Sequence, residues 1–184
     1  RDIATRLNVS AATVSRGLAK ARKSGMIEVR IRDEENGSFP ELESEVEAGY
    51  EISESVIVPS SQAVEATYAS LAEALGELLS RLLQPGDYLG VSWGETLKAV
   101  SDDLYVPASV EANVIPIIGA MGVVETGVYP NAIAASFAKK LGGKSYLVNA
   151  PAILDSTESR NTMLQERTFR TVAEAWNKVS TVLL

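Results

Sequence analysis

The 184-residue sequence contains no cysteine and no histidine. Without cysteine there is no disulfide and no thiolate, and without histidine the common zinc ligand sets and imidazole acid–base catalysis are gone as well. A Ser-His-Asp triad is excluded outright. Long apolar runs are missing too: none approaches the roughly 18 to 20 residues of a membrane span, and no charged-then-apolar leader opens the chain. The expectation is a cytoplasmic protein with no membrane partner. Neither the GxGxxG dinucleotide fingerprint nor the GxxxxGK[ST] phosphate loop occurs, so nicotinamide cofactors and nucleoside triphosphates lose their main signals. No metal, cofactor or catalytic residue is expected. What is present is an apolar fraction of 46%, enough for a core.

Charge is unevenly placed. Residues 1–32 hold eight Arg/Lys against two Asp/Glu, a surplus of +6, while residues 33–184 hold nine against twenty-two, a balance of −13. Such asymmetry points to two tasks on one chain. The basic end suits a polyanion, because each neutralised phosphate releases condensed counterions.

Within that end, Ala11, Val14, Leu18 and Ala21 share one face at helical spacing, and Ala12, Arg16, Ala19 and Lys23 the opposite one, flanked by Thr13 and Lys20. Ser10 suits the N-cap and Gly25 the left-handed stop. Ile3 and Leu7 lie one turn apart, so residues 2–7 read as the tail of an earlier helix joined through Asn8-Val9-Ser10. Two helices so tightly joined predict a helix-turn-helix. Its small outer residues, Ala12 among them, would let the second helix enter the major groove of double-stranded DNA, with Thr13 beside them. Arg16 would reach a base edge, and Ser10, Lys20 and Lys23 would hold phosphates. After Gly25, Ile27, Val29 and Ile31 alternate with Glu28, Arg30 and Arg32, a half-buried strand suited to a wing. The bland alternative is an amphipathic surface helix whose cations are merely solvated.

Residues 33–55 contain nine acids and no Arg or Lys, with turn formers at Asn36-Gly37-Ser38 and Pro40. This predicts an acidic linker with a short helix around Glu41 to Ala48. Residues 56–184 then alternate. "VIVP" at Val56 predicts a short buried strand, and Ala66 to Leu83 a helix with Leu71, Leu75, Leu78 and Leu82 along one side. Tyr88 to Ser92 predicts a strand, Glu95 to Leu104 a helix with Leu97, Val100 and Leu104 inward. "NVIPIIGAMG" predicts a third strand, Pro130 to Leu141 a helix closed by Gly142-Gly143, and "KSYLVNAP" a fourth strand. Alternation of this kind means a parallel sheet with helices on its faces and ligands beyond the carboxyl ends of the strands.

Two glycine-bearing turns fall there. Ser92-Trp93-Gly94-Glu95-Thr96 offers two hydroxyls and backbone N–H groups at a helix N-terminus, suited to a phosphate or carboxylate, although Trp93 could equally be a core aromatic. Gly119-Ala120-Met121-Gly122 would let backbone approach a ligand closely, or simply turn.

"IATRLNVSAATVSRGLAKARKSGMIEVRI", "LGVSWGETL" and "VIPIIGAMG...PNAIAASFAKKLGGKSYLVNAPAI" together resemble the SorC (SorC/DeoR-like) family of bacterial transcriptional regulators over nearly the whole chain. The resemblance implies an N-terminal winged helix-turn-helix segment at residues 1–32, truncated at its start. Beyond the linker, it implies a Rossmann-like parallel-sheet effector domain at 56–184, lacking its C-terminal part. That domain is related to the ribose-5-phosphate isomerase, glucosamine-6-phosphate deaminase and CoA-transferase fold. By position, Ser92, Gly94 and Thr96 would hold a phosphate or hydroxyl of a sugar or sugar-phosphate effector, with Gly119 and Asn131 lining the pocket. The implied protein is a repressor or activator of carbohydrate metabolism, a homodimer or homotetramer on operator DNA. Glu95, a negative charge beside the supposed anion site, departs from that reading. The competing reading is a sugar-phosphate isomerase or deaminase on the same fold, for which Glu95, Asp87, Lys98 and Lys144 are the available acids and bases. A pure protein-interaction module explains neither the charge split nor the glycine turns.

Overall fold

The computed structural model describes residues 4, 6, 9–23, 39–107, 109–120 and 129–184. The chain divides into two compact units, Arg1–Ser38 and Phe39–Leu184. In the first, Ala4 and Arg6 are helical and α1 runs Ala11–Lys23. The expected contact of Ile3 with Leu7, the stop at Gly25 and the wing strand over 27–32 lie outside the described residues, as do Met121 and Gly122 of the second glycine turn.

The second unit opens with α2, Pro40–Tyr50, longer at both ends than the acidic stretch alone predicts, with Pro40 in its first turn, where a missing N–H costs nothing. The expected strand at Val56 is not formed. Residues 56–59 are irregular and Val56 is 46% exposed. The physical reason lies in the helix before them. The Ser55 N–H donates to Glu47 Oε1 at 2.8 Å and the Ile57 N–H to Glu43 Oε1 at 2.9 Å, so carboxylates of α2 take backbone donors that a sheet would otherwise use.

The helix α3, Val64–Leu82, is rich in Ala, Leu and Glu, which lose little side-chain freedom in a helix. Its fully buried line is Ala72, Gly76 and Leu79, continued by Leu83; of the expected stripe Leu71 and Leu75 pack half-buried against the same core, and Leu82 is 50% exposed. Gly76 sets this phase. A Cβ there would lie 1.9 Å from the Tyr105 carbonyl oxygen, so the helix approaches backbone directly through its small residues.

β1 (Tyr88–Val91), α4 (Glu95–Asp103), β2 (Asn113–Pro116) and α5 (Pro130–Leu141) follow, the last ended by Gly142 at φ 74°. Next come α6 (Thr157–Gln165), α7 (Arg167–Trp176) and β3 (Val179–Leu183). The sheet order is β2-β1-β3, all parallel. The fourth strand expected over "KSYLVNAP" is present as two parallel bridges beside β2, Val114 with Ser145 and Ala120 with Pro151, not as a continuous ladder.

Successive residues of β2 face opposite sides. Val114 joins Leu89, Val91, Val100, Leu104 and Phe137 in a core under α3, α4 and α5. Ile115 joins Val148, Ala150, Val172 and Ala175 in a second core under α7. Helices thus cover both faces of a small parallel sheet, an α/β arrangement whose strands are buried on both sides and read as continuous apolar runs. Chain connectivity fixes one further point. From β1 the chain moves outward through β2 to the 145–151 segment, then returns to place β3 on the other side of β1. The winding direction therefore reverses between β1 and β3, which is where sheets of this class form a crevice at their carboxyl ends.

Candidate functional site

In α1 the Ser10 hydroxyl accepts the Thr13 N–H at 3.1 Å and lies 2.9 Å from the Thr13 hydroxyl, so the N-cap forms as the sequence predicts. Ala12, Thr13, Arg16, Ala19 and Lys20 are exposed, and Val14 and Ala21 half-buried. Arg16 Nε donates to the Ala12 carbonyl at 3.4 Å, which lays the side chain along the helix with its terminal nitrogens outward. Leu18, expected on the packed face, is 41% exposed. The side chain of Lys23 lies outside the described residues.

In the second unit, β1 delivers the Ser92–Thr96 turn at the point where the winding reverses. The Ser92 N–H donates to the Leu183 carbonyl at 2.9 Å, tying the end of β1 to the end of β3. Gly94 has φ 133° and ψ 158°, a conformation essentially confined to glycine, and it starts α4 with no side chain capping the first turn. The first N–H groups of α4 therefore remain without a side-chain acceptor. Ser92 is half-buried, Glu95 and Thr96 are exposed, and Trp93 is 36% exposed, which places it outside the core.

Gly119 has a packing reason to be glycine: a Cβ would sit 2.3 Å from the Ala150 carbonyl oxygen, while the Ala120 N–H donates to that same oxygen at 2.8 Å. Asn131 bonds at both ends of its amide. Its Oδ1 accepts the Val148 N–H at 2.9 Å and its Nδ2 donates to the Val148 carbonyl at 3.3 Å, pinning the start of α5 to the fourth segment. Gly119 and Asn131 line a hollow of about 280 Å³ with Tyr129 and Pro130. A larger hollow of about 420 Å³ shares Gly119 and opens between the fourth segment, α6 and α7. The structure thus brings Gly119 and Asn131 together, whereas Ser92, Trp93, Gly94 and Thr96 line neither hollow.

The larger hollow contains residues that sequence reasoning did not single out, among them Arg160, Phe169 and Trp176. A signal existed in the helical spacing of Phe169, Val172 and Trp176. Trp176 Nε1 donates to the Pro116 carbonyl at 2.8 Å, and its ring meets Phe169 edge-on with centroids 5.5 Å apart. Of the available acids and bases, the Asp87 carboxylate accepts the Gln84 N–H at 2.8 Å, Lys98 pairs with Asp102, and Asp87 and Lys144 precede their strands at the opposite end of the sheet. Among the described residues, no group of three or more acids is placed to hold a metal ion, and no helix is long and apolar enough to cross a membrane.

Residues 35–184 match the protein family described as "Putative sugar-binding domain". The chain belongs to this SorC-type sugar-binding family. It is 30% identical over 186 residues to the sorbitol operon regulator of Klebsiella pneumoniae, covering all of this chain and 59% of that one. It is 23% identical over 190 residues to the deoxyribonucleoside regulator of Bacillus subtilis, covering all of this chain and 58% of that one. The crystal structure of the full-length Klebsiella regulator superposes with a TM-score of 0.72 at 28% identity, covering 98% of this chain and 58% of the other. The SorC-family chain therefore spans about three fifths of the length of the curated relatives it matches, and those relatives are named as regulators rather than enzymes.

Proposed function

We propose that the protein is a DNA-binding transcriptional regulator of carbohydrate metabolism whose operator binding is controlled by a sugar or sugar-phosphate effector. In this reading residues 1–32 are the DNA-binding segment, 33–55 the acidic linker and 56–184 the effector domain, acting in the cytoplasm as a homodimer or homotetramer. The observation that carries it is membership of a sugar-binding family on a chain whose first 32 residues hold a surplus of +6 against −13 in the rest. An isomerase or deaminase has no use for a capped basic helix. That the matched relatives are named as a sorbitol operon regulator and a deoxyribonucleoside regulator supports the same direction.

The recognition helix is α1. Arg16 reads a base edge from among the small exposed residues Ala12, Gly17 and Ala19, while Ser10, Lys20 and Lys23 hold phosphates on either side. Arg16→Ala should weaken operator binding by about 1 to 3 kcal/mol with little change on random DNA, measured by fluorescence anisotropy. Equal losses on both would make Arg16 a phosphate contact instead.

The effector sits where the winding reverses, at the Ser92–Thr96 turn. Backbone N–H groups at the uncapped start of α4 face it, while Gly119 and Asn131 line a separate hollow. Asn131 commits one N–H and one lone pair of its amide to Val148 and so fixes the fourth segment. Glu95 at the first turn selects against a dianion on its own side and favours an uncharged or singly charged sugar there. The ligand alters DNA binding only to the extent that it prefers one arrangement of the subunits.

A further inference from the structure

The hollow between the fourth segment and α6 differs in chemistry from the Ser92–Thr96 turn. Its side chains are largely aliphatic and aromatic, including Ile117, Val148, Leu154, Met163, Phe169 and Trp176, and the polar side chains Ser156, Thr157 and Arg160 gather at the start of α6. At about 420 Å³ it has the volume of a small-molecule site. The aliphatic and aromatic side chains suit a ligand with an apolar body.

Arg160 adds the second half of the argument. Among the described residues its guanidinium makes a single 3.4 Å hydrogen bond, from Nη1 to the side-chain oxygen of its neighbour Asn161, and pairs with no carboxylate. A guanidinium at the rim of an apolar chamber presents a planar fork that fits a carboxylate in two-point fashion. One cation balances one negative charge, and Asp155 and Glu158, which flank this rim in sequence, disfavour a second. The Ser156 hydroxyl caps α6, accepting the Ser159 N–H at 3.1 Å, which holds the rim in place.

We infer that this hollow is a second ligand site, separate from the sugar site proposed above, and that it takes an organic monocarboxylate with an apolar, aryl or branched alkyl body, the carboxylate on Arg160 and the body between Met163, Phe169 and Trp176. Gly119 lines both this hollow and the smaller one beside Asn131.

The two tryptophans of the sequence give each site its own reporter, Trp93 at the turn and Trp176 in the hollow. The protein is labelled with 5-fluorotryptophan, the two fluorine resonances are assigned with Trp93→Phe, and 3-phenylpropanoate, 3-phenylpropan-1-ol and ribose 5-phosphate are titrated separately. The carboxylate should move the Trp176 resonance saturably and leave Trp93 in place. The alcohol should bind at least tenfold more weakly, and Arg160→Gln should weaken the carboxylate at least tenfold while leaving the ligand-free spectrum unchanged, as expected for an exposed side chain. The inference is overturned if millimolar carboxylate leaves Trp176 unmoved, if acid and alcohol bind alike, or if Arg160→Gln has no effect. It is also overturned if ribose 5-phosphate moves Trp176 saturably, because the hollow would then belong to the sugar. Movement of Trp93 by sugars reports on the effector reading alone, so the two can fail separately.

Discussion

At the amino end of the sheet the Tyr88 and Tyr146 hydroxyls meet at 3.0 Å, Lys178 Nζ lies 5.4 Å from the Tyr88 ring centroid, and Asn113 Nδ2 donates to the Gly86 carbonyl at 3.2 Å. At the carboxyl end α4 starts without a side-chain cap, two hollows share Gly119, and Arg160 has no acidic partner among the described residues. Both ends belong to the same three strands and the same two cores. The contrast teaches where the fold satisfies its own polar groups and where it leaves them for something else. An end closed by internal bonds should respond to substitution with lost stability, and an open end with lost ligand.

The largest expected effect is at the closed end. A Cβ on Gly143 would lie 1.8 Å from the Ala112 carbonyl oxygen, so backbone must move. Gly143→Ala should cost about 3 kcal/mol in urea denaturation, the upper part of the range for overpacking. A cost near zero would show that the amino end is looser than its contacts imply.

Asn131 is the exception that sharpens the comparison, a polar group at the open end that is already satisfied. Asn131→Leu strands the N–H and carbonyl of Val148, which is 2% exposed, and should cost about 2 kcal/mol by the same measurement. An unchanged stability would mean the amide is available to a ligand after all.

The smallest effect is pH-linked. The hydrogen bond that the Tyr146 hydroxyl donates to Tyr88 in its neutral form, then partial burial, raises the Tyr146 phenol above its ordinary value near 10. A folded value above the unfolded one stabilises the protein below the unfolded value, and that contribution is lost as pH rises through the raised one. Denaturation midpoints should therefore fall above about pH 10. Tyr146→Phe should remove this component and cost about 1 kcal/mol or less at neutral pH, since solvent reaches the pair. A wild-type and a variant with the same alkaline profile would assign the loss to other groups.

Much of this architecture was legible in sequence because parallel strands buried on both faces leave unbroken apolar runs. Tyr88–Val91, Asn113–Pro116 and the helix Pro130–Leu141 stand where the pattern puts them. The Ser10 cap follows from a hydroxyl placed before a helical run. The failures are tertiary. Nothing local shows that Glu43 and Glu47 satisfy the backbone near Val56, or that Gly76 brings α3 so close to the Tyr105 backbone that Ala72 is buried more deeply than Leu71. The larger hollow was missed for a similar reason, since Arg160 and Phe169 come together with Ile117 only through the fold. The Ser92–Thr96 turn was found by its glycine and hydroxyls, but its position beside β3, where the winding reverses, required the strand order.

The central claim is that the open end at Ser92–Thr96 is the effector site. Its most direct test is calorimetry on the full chain, with the free or phosphorylated sugar that most raises its thermal stability, compared across wild type, Ser92→Ala and Thr96→Val. Both side chains lie outside the buried core, so both variants should fold with unchanged operator affinity in the absence of sugar. Effector affinity should be roughly tenfold lower in Thr96→Val, about the contribution of one hydrogen bond to a polar ligand, with a loss of similar size in Ser92→Ala. Effector affinity unaltered in both variants would contradict this claim and move the site elsewhere.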